Sequence, residues 1–254
     1  MAVYEIVFSP TGGTKKVSAF FTKSFCQDST YIDLSRKDID FSAFLFNSED
    51  ICIVSVPSYG GRVPDIAVSR IMHLNGNNAR AVLIVAYGNR AYEDTFLELQ
   101  DVMENRGFIC TAAIAAVAEH SIMRQFATGR PDSQDEKELA SFAARVRSKI
   151  EQEGIHESLK LPGNRPYRIY NGVPLKPNAG KSCQKCGVCA SGCPAGAIPD
   201  DNPSVTDTGK CISCMRCISV CTQNARSLNK AMLAASSIKL KKACSGHKNN
   251  ELFI

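Results

Sequence analysis

Eight of the twelve cysteines in this 254-residue chain lie in two short runs near the C-terminus. The first run comprises Cys183, Cys186, Cys189 and Cys193, and the second comprises Cys211, Cys214, Cys217 and Cys221. Both runs have the spacing C-x2-C-x2-C-x3-C, and the second repeats the first at a constant offset, so that Cys211 corresponds to Cys183. Because Ala197 and Ala225 keep the same offset, the pattern indicates an internal duplication.

This spacing suits iron–sulfur clusters. Three thiolates at successive x2 spacings can hold three corners of a cube, while the backbone amides of the loop offset its negative charge. The fourth cysteine follows a longer gap and is directed toward the neighbouring cube. The runs therefore predict two [4Fe–4S] clusters with crossed ligands. One would be held by Cys183, Cys186, Cys189 and Cys221, and the other by Cys211, Cys214, Cys217 and Cys193.

Zinc and disulfides explain the two runs less well. Structural zinc sites usually pair two C-x2-4-C knuckles across a longer spacer. A disulfide framework would require a secretory signal peptide, whereas the N-terminal sequence MAVYEIVFSP indicates a strand. No apolar stretch reaches about 18 residues, so we expect no membrane span. Because the chain carries cluster-type cysteine runs, we expect a cytoplasmic location. Of the other cysteines, Cys52 and Cys110 lie in apolar runs, and we expect them to be packed in the core.

The net charge of +5 is unevenly distributed. Residues 1–160 carry 17 Lys and Arg against 21 Asp and Glu, whereas residues 161–254 carry 13 against 4. A basic C-terminal part favours docking of an acidic partner protein. Nucleic-acid binding is disfavoured, because the basic residues are scattered and cluster only at 239–242.

The first 153 residues alternate between strand and helix patterns. Strand-like runs occupy 2–8, 31–34, 51–56, 81–86 and 108–118. Helical patterns occupy 14–26, 64–74, 92–105 and a segment that begins with a capping box at Ser133 and Glu136 and ends at Gly154. Five strands alternating with helices predict a doubly wound parallel α/β sheet, with its ligand at the carboxyl ends of the strands.

The sequence also indicates where the domains divide. We expect an α/β domain over 1–157, a proline-bearing linker or strap over 158–175 and a small α+β cluster domain over 176–227. So small a cluster domain would depend on its clusters for stability. Residues 228–254 would form a C-terminal helix and tail that pack back on the domains.

Three glycine-bearing loops follow candidate strands. The first, Ser9-Pro10-Thr11-Gly12-Gly13-Thr14, offers backbone amides at a helix N-terminus, which suits a phosphate. It matches neither a Walker loop nor a G-x-G-x-x-G fingerprint. The loops Pro57-Ser58-Tyr59-Gly60-Gly61-Arg62 and Tyr87-Gly88-Asn89-Arg90-Ala91-Tyr92 offer aromatic rings and polar groups for a flat ring system. Ordinary turns and half-buried loop aromatics are the alternative explanation for each loop alone.

These motifs carry a family resemblance. SPTGGT is similar to the flavodoxin phosphate loop, and PSYGGRVP, YGNRAYED, AEHS and GRPD, followed by the cysteine runs, resemble flavodoxin–ferredoxin fusion proteins of anaerobes. The resemblance implies a flavodoxin-like five-stranded parallel sheet that binds FMN, and a domain with two [4Fe–4S] clusters. It implies that the phosphate is held by Ser9, Thr11, Gly12, Gly13 and Thr14. The ring would be flanked by Tyr59, Gly60 and Gly61, with Asn89 and Tyr92 on the other loop; Pro57, Ser58, Gly88 and Arg90 belong to the same two loops.

The expected function is electron transfer between FMN and the clusters, in an oxidoreductase or electron carrier. Two alternatives stay open. One is an FMN-dependent reductase of a small organic acceptor, with His120 after the fifth strand as proton donor; a hydrogen-bonded loop histidine is the competing explanation. The other is an iron–sulfur redox sensor. Expected partners are a ferredoxin-like donor or a reductase acceptor, and a homodimer is possible.

Overall fold

The computed structural model describes residues 1–152 and 159–254. Five strands of the α/β domain are β1 (Val3–Val7), β2 (Thr30–Asp33), β3 (Ile51–Pro57), β4 (Arg80–Tyr87) and β5 (Ile109–Val117). The helices are α1 (Gly13–Phe25), α2 (Asp65–Ile71), α3 (Thr95–Asn105) and α4 (Ser133–Glu151), with a short 3-10 helix at Phe41–Ala43. Each predicted element is present, with bounds shifted by a few residues. The predicted end of α4 at Gly154 and the domain boundary at 157/158 lie outside the described residues.

The sheet order is β2-β1-β3-β4-β5, and neighbouring strands in this series are parallel. This is the flavodoxin-like order of a doubly wound sheet, so the predicted fold class is confirmed. From β1 the chain continues to β2 on one side of β1, and β3 then lies on the other side of β1. The loops after β1 and β3 therefore diverge and leave a crevice at the carboxyl edge of the sheet.

Helices cover both faces of this sheet. The buried side chains of α1 and α4 pack on one face, with Val17 and Phe21 from α1. The other face is covered by α2 and α3, with Ile71 and Phe96 in the core. Because both faces are buried, the central strands are almost wholly apolar, and Cys52 on β3 is fully buried.

Two details differ from the sequence-based expectation. Helix α4 begins with a capping box between Asp132 and Asp135, one residue earlier than the predicted Ser133 and Glu136. The main sheet has a sixth strand, which comes from the C-terminal tail. It is β8 in chain order (Glu251–Phe253), and it pairs antiparallel with β5 at the edge of the sheet. The side chain of Asn250 supports this pairing by accepting a hydrogen bond from the amide of Val117 at 2.9 Å. The C-terminal tail thus completes the sheet, so the prediction of five strands was one strand short.

The cysteine-rich part contains little regular structure. Its elements are β6 (Asn178–Ala179), α5 (Val188–Ser191), α6 (Arg216–Ser219) and β7 (Arg226–Ser227), and β6 pairs antiparallel with β7. Helix α7 (Lys230–Cys244) follows and leads to β8. None of the helices in the described part of the chain combines the length and apolar character that crossing a membrane requires.

Candidate functional site

The eight cysteines of the two runs surround two separate cavities. The outer cysteine cavity is lined by Cys183, Cys186, Cys189 and Cys221. The inner cysteine cavity is lined by Cys193, Cys211, Cys214 and Cys217. In each cavity, three cysteines come from one run and the fourth comes from the other run. This is the crossed grouping that the spacing predicts for a pair of four-iron clusters.

The duplication in the sequence is also a duplication in the backbone. Helices α5 and α6 begin at positions related by the offset of the cysteine runs, and each is preceded by a residue in the left-handed region, Gly187 at φ 80° and Met215 at φ 65°. The same conformation recurs at Gly196 and Asn224, shortly after the last cysteine of each run. The two halves therefore present their cysteines with the same local geometry.

The fourth cysteine of each run accepts an equivalent hydrogen bond. The amide of Ala197 donates to Cys193 Sγ at 3.3 Å, and the amide of Ala225 donates to Cys221 Sγ at 3.3 Å. Burial opposes ionisation of Cys221, but the amides around it outweigh this effect and lower its pKa. Burial raises the pKa of Cys214 to about 12 and that of Cys217 to about 11. Buried thiols of this kind become thiolates when they bind a metal.

Arg226 supplies the outer cysteine cavity with a buried cation. Its Nε donates to Cys189 Sγ at 3.3 Å, and Nη1 donates to Thr206 Oγ1 at 2.7 Å. Within the described residues, no carboxylate forms an ion pair with this guanidinium. A buried charge without a counter-ion is costly, so an anionic cluster fits this cavity.

No three His, Cys, Asp or Glu residues in the described ranges are arranged to hold a single metal ion.

A larger cavity of about 320 Å³ lies at the carboxyl edge of the sheet. This central cavity has the size of small cofactor sites, about 300–1,000 Å³. The loops after β1, β3 and β4 all contribute to its lining. The predicted residues in the lining are Ser9, Thr11, Gly13, Thr14, Pro57, Ser58, Tyr59, Gly60, Gly88 and Arg90.

The loop after β1 presents free backbone donors beside this cavity. Gly12 has φ 93° and precedes α1 without a side-chain cap. Ser9 Oγ accepts a hydrogen bond from the amide of Lys15 at 2.9 Å. Within residues 1–152 and 159–254, the amides of Gly12, Gly13 and Thr14 have no protein acceptor. Unpaired amides at a helix N-terminus suit a phosphate group, so this loop fits the phosphate of FMN.

Two glycines permit close packing around the cavity. A Cβ on Gly60 would stand 2.3 Å from two carbons of the Tyr170 ring, and a Cβ on Gly88 would stand 2.7 Å from the ring of His120. Neither distance is tolerable for a real side chain. These glycines therefore allow Tyr170 and His120 to reach the cavity wall.

Four of the predicted cofactor-binding residues do not line the central cavity. Gly12 lies beside the cavity, where it precedes α1, and Gly61 packs against Glu93 and Arg168. Asn89 Nδ2 donates to the carbonyls of Cys244 at 2.5 Å and Gly246 at 2.8 Å. Tyr92 packs on Tyr87 and Phe96, and its hydroxyl donates to Glu251 at 3.0 Å. Asn89 and Tyr92 therefore tie their loop to the C-terminal tail, a contact that no local sequence pattern indicates.

His120 lies in the lining of the central cavity. Its Nδ1 accepts hydrogen bonds from the amides of Ile122 and Met123, each at 3.2 Å. These bonds require an unprotonated Nδ1, so the neutral ring carries its proton on Nε2. Burial lowers the pKa of His120; a backbone hydrogen bond opposes this effect, and the nearby Arg90 adds to it. The imidazole is therefore a neutral donor at pH 7.

Several residues of the lining had no sequence signal. The strap, residues 159–175, contributes Tyr170, Val173, Pro174 and Leu175, and α7 contributes Ser236, Lys239 and Leu240. The strap is anchored by Asp94, which accepts hydrogen bonds from the amides of Asn164 at 2.8 Å and Arg168 at 2.7 Å. Such contacts join positions that are far apart in the sequence, so periodicity and motif spacing do not reveal them.

The central cavity and the inner cysteine cavity share a wall. Ile212 lines both cavities and lies between Cys211 and Cys214. Two arginines also link the cluster part to the sheet domain: Arg70 Nη2 donates to the carbonyl of Pro194 at 2.8 Å, and Arg216 Nη1 donates to that of Pro10 at 3.3 Å. The inner cysteine cavity is therefore the one next to the phosphate loop.

Comparisons with known proteins describe the two parts separately. Residues 204–227, which include the whole second cysteine run, match the family described as 4Fe-4S binding domain. No curated protein matches the sequence of the chain.

Several solved structures resemble the sheet domain. A flavodoxin from Streptococcus pneumonia TIGR4 is 22% identical, with 58% of this chain and 99% of that chain covered and a TM-score of 0.43. The two-electron reduced flavodoxin of Megasphaera elsdenii is 17% identical, with 56% and 98% covered and a TM-score of 0.39. An azoreductase from Bacillus anthracis str. Sterne is 13% identical, with 59% and 100% covered and a TM-score of 0.36. The fold assignment itself rests on the strand order described above. The chain thus joins a flavodoxin-like α/β fold to a C-terminal segment of the 4Fe-4S binding type.

Proposed function

We propose that this protein transfers single electrons between two [4Fe–4S] clusters and one FMN. When bound, FMN exchanges one or two electrons and each cluster exchanges one. The observation that carries the proposal is the shared wall at Ile212, which separates the inner cysteine cavity from the central cavity. Two cavities with a common lining residue suit electron transfer, because it requires no movement of either part.

The chain's own groups would hold the cofactors as follows. The unpaired amides of Gly12, Gly13 and Thr14 bind the phosphate, and Tyr59 and Tyr170 flank the cavity that takes the ring. Burial raises the pKa of Tyr59 far above its ordinary value, and the nearby Cys214 adds to the effect. Tyr59 therefore stays a neutral phenol in the wall of the central cavity, near Cys214. The two crossed cysteine quartets hold one cluster each.

The exposed cysteine indicates where a partner would approach. Cys186 is exposed, whereas each of the other seven run cysteines is buried or half-buried. Lys181 and Lys185 lie close to it in sequence and are exposed. A basic rim around the outer cysteine cavity favours an acidic one-electron carrier, such as a ferredoxin-like donor.

Anaerobic stopped-flow spectroscopy tests the proposal. Protein loaded with FMN and clusters is mixed with a reduced low-potential ferredoxin, and flavin reduction is followed by its absorbance. The unmodified protein is compared with the variant Cys214→Ser, which should lose the inner cluster and keep FMN. We expect rapid flavin reduction in the unmodified protein and a loss of at least about tenfold in rate in the variant, since each 1.4 kcal/mol of barrier is about tenfold. Equal rates would refute the proposal.

One observation favours a second candidate, an FMN-dependent reductase of a small organic acceptor. The Nε2 of His120 has no hydrogen-bond partner within the described residues, and the ring lines the central cavity. A neutral imidazole with a free N–H is suited to donate a proton. If this candidate is right, His120→Gln should slow reduction of a quinone or nitro compound and leave electron exchange with ferredoxin unchanged. Equal slowing of both reactions would point to a structural role for His120.

A further inference from the structure

The duplication provides an internal comparison between the two cysteine cavities. Arg226 and Ile198 occupy equivalent positions of the repeat, and both side chains are 3% exposed. Each follows the alanine whose amide donates to a fourth cysteine. One half of the repeat therefore buries a cation where the other half buries an aliphatic side chain.

Every hydrogen bond that the Arg226 guanidinium donates goes to a residue of the cysteine-rich part, between 189 and 206. Nε donates to Cys189 Sγ, Nη1 to Thr206 Oγ1, and Nη2 to the carbonyls of Pro203 and Val205. None of these partners carries a full negative charge in a protein without clusters. The buried guanidinium donates directly to a cysteine sulfur, so its positive charge acts on whatever anion the cysteines hold.

The cations beside the inner cysteine cavity are less buried than Arg226 is beside the outer one. Arg216 is in its lining, but that side chain is only half-buried and donates to Pro10 in the phosphate loop. The backbone amide of Arg216 contacts Cys214, but in the described part of the chain its guanidinium donates no hydrogen bond to a cysteine sulfur. Lys176 donates to the carbonyl of Cys211 and is likewise only half-buried. Partly exposed charges are screened by water far more than a buried one.

We propose that Arg226 makes the two clusters unequal, raising the reduction potential of the cluster at Cys183, Cys186, Cys189 and Cys221 above that of the other. This inference rests on the proposed function, since it requires both clusters. Reduction adds one negative charge to a cluster, and a buried cation that donates to one of its sulfurs stabilises the reduced form more than the oxidised form. The first electron to enter the protein would therefore reside at the outer cluster, beside the exposed Cys186.

An anaerobic redox titration monitored by electron paramagnetic resonance tests this inference. The unmodified protein should first be shown to contain about eight iron and eight sulfide, and it should then show two separate one-electron steps. In Arg226→Met, we expect the higher potential to fall, so that the equilibrium constant for electron exchange between the clusters changes by about tenfold or more. Arg226→Lys, which keeps the charge, should show a smaller shift.

Two matched variants control for general effects. Ile198→Met changes the equivalent position of the other half without a change in charge, and it should leave both potentials in place. Arg216→Met removes a cation from the lining of the inner cysteine cavity and should leave the higher potential unchanged.

Other outcomes overturn specific statements. Two unchanged potentials in Arg226→Met, or a change only in the lower one, would overturn the inference. If neither Arg226 variant retains both clusters, the titration of the unmodified protein is the test. Equal reduction potentials of its two clusters would overturn the inference. A single cluster in the unmodified protein would instead overturn the proposed function.

Discussion

The ring of Tyr170 lies against Gly60 so closely that a Cβ on Gly60 would stand 2.3 Å from two of its carbons. Gly60 belongs to the loop after β3, whereas Tyr170 belongs to the strap. Both residues line the central cavity. The strap therefore closes the crevice of the sheet domain because the loop has no side chain at this point.

The first prediction concerns this contact. Gly60→Ala should displace Tyr170 and weaken FMN binding by about tenfold or more, since a lost contact of about 1.4 kcal/mol has that effect. Fluorescence titration of FMN into flavin-free protein measures the change. Because Gly60 has φ 60°, the substitution also strains the backbone. Gly129→Ala is the control, since Gly129 has φ 80° and its Cβ would meet nothing within 4 Å. Equal effects of the two substitutions would argue against the Tyr170 contact.

The second prediction concerns the phosphate loop. Gly12→Asp should weaken FMN binding more than Gly12→Asn, because only the aspartate places a negative charge beside the phosphate. The two side chains have nearly the same shape and face the same backbone strain at φ 93°. The same titration in low salt measures the difference, which should shrink as the ionic strength rises. Indistinguishable affinities for the two variants would contradict a phosphate at this position.

The third prediction concerns the anchor of the strap. Burial acts to raise the pKa of Asp94, but hydrogen bonds from Arg168 and Asn164 outweigh it and hold the pKa below its ordinary value. A carboxylate with a lowered pKa in the folded state stabilises the fold at neutral pH, and this contribution is lost progressively below about pH 5. Asp94→Asn should therefore reduce the free energy of unfolding by about 1–3 kcal/mol at pH 7, and by less in acid.

Urea denaturation at pH 7 and pH 4 checks this prediction. Asp28→Asn removes an exposed carboxylate and serves as the control, with little effect expected at either pH. A deficit of Asp94→Asn that stays the same at both pH values would show that the stabilisation does not depend on the charge of Asp94.

The fourth prediction concerns the crossed cysteine grouping. Cys193→Ala should damage the cluster at Cys211, Cys214 and Cys217, although Cys193 belongs to the first run, because these four residues line one cavity. Iron content should fall from about eight toward about four per chain. Cys52→Ala, which alters a core cysteine on β3, should retain full iron content. A structure of the loaded protein with all four cysteines of one run around one cube would rule out the crossed arrangement.

The fold and the position of the central cavity could be predicted because their signals are local. Continuous apolar runs such as 51–57 indicate strands buried on both faces, and glycine-bearing loops after such strands mark the ligand edge of a parallel sheet. The crossed cysteine grouping was likewise predictable, since the x3 gap and the constant offset between the two runs can be read directly along the chain.

The contacts that complete the site could not be predicted in this way. Tyr170 over Gly60, Asn89 to Cys244 and Asp94 to the strap each join positions far apart in sequence. Tyr92 and Asn89 do not line the central cavity for the same reason, since their side chains form hydrogen bonds with the C-terminal tail instead.

The amino-acid sequence by itself therefore determined the sheet architecture, and it predicted the phosphate loop and the two crossed cysteine quartets, because periodicity and spacing depend only on neighbouring residues. Only the tertiary structure decided that the strap and α7 close the central cavity, that Ile212 separates it from the inner cysteines, and that Arg226 is buried against Cys189. These features depend on which distant segments meet, and that outcome is set by packing of the whole chain.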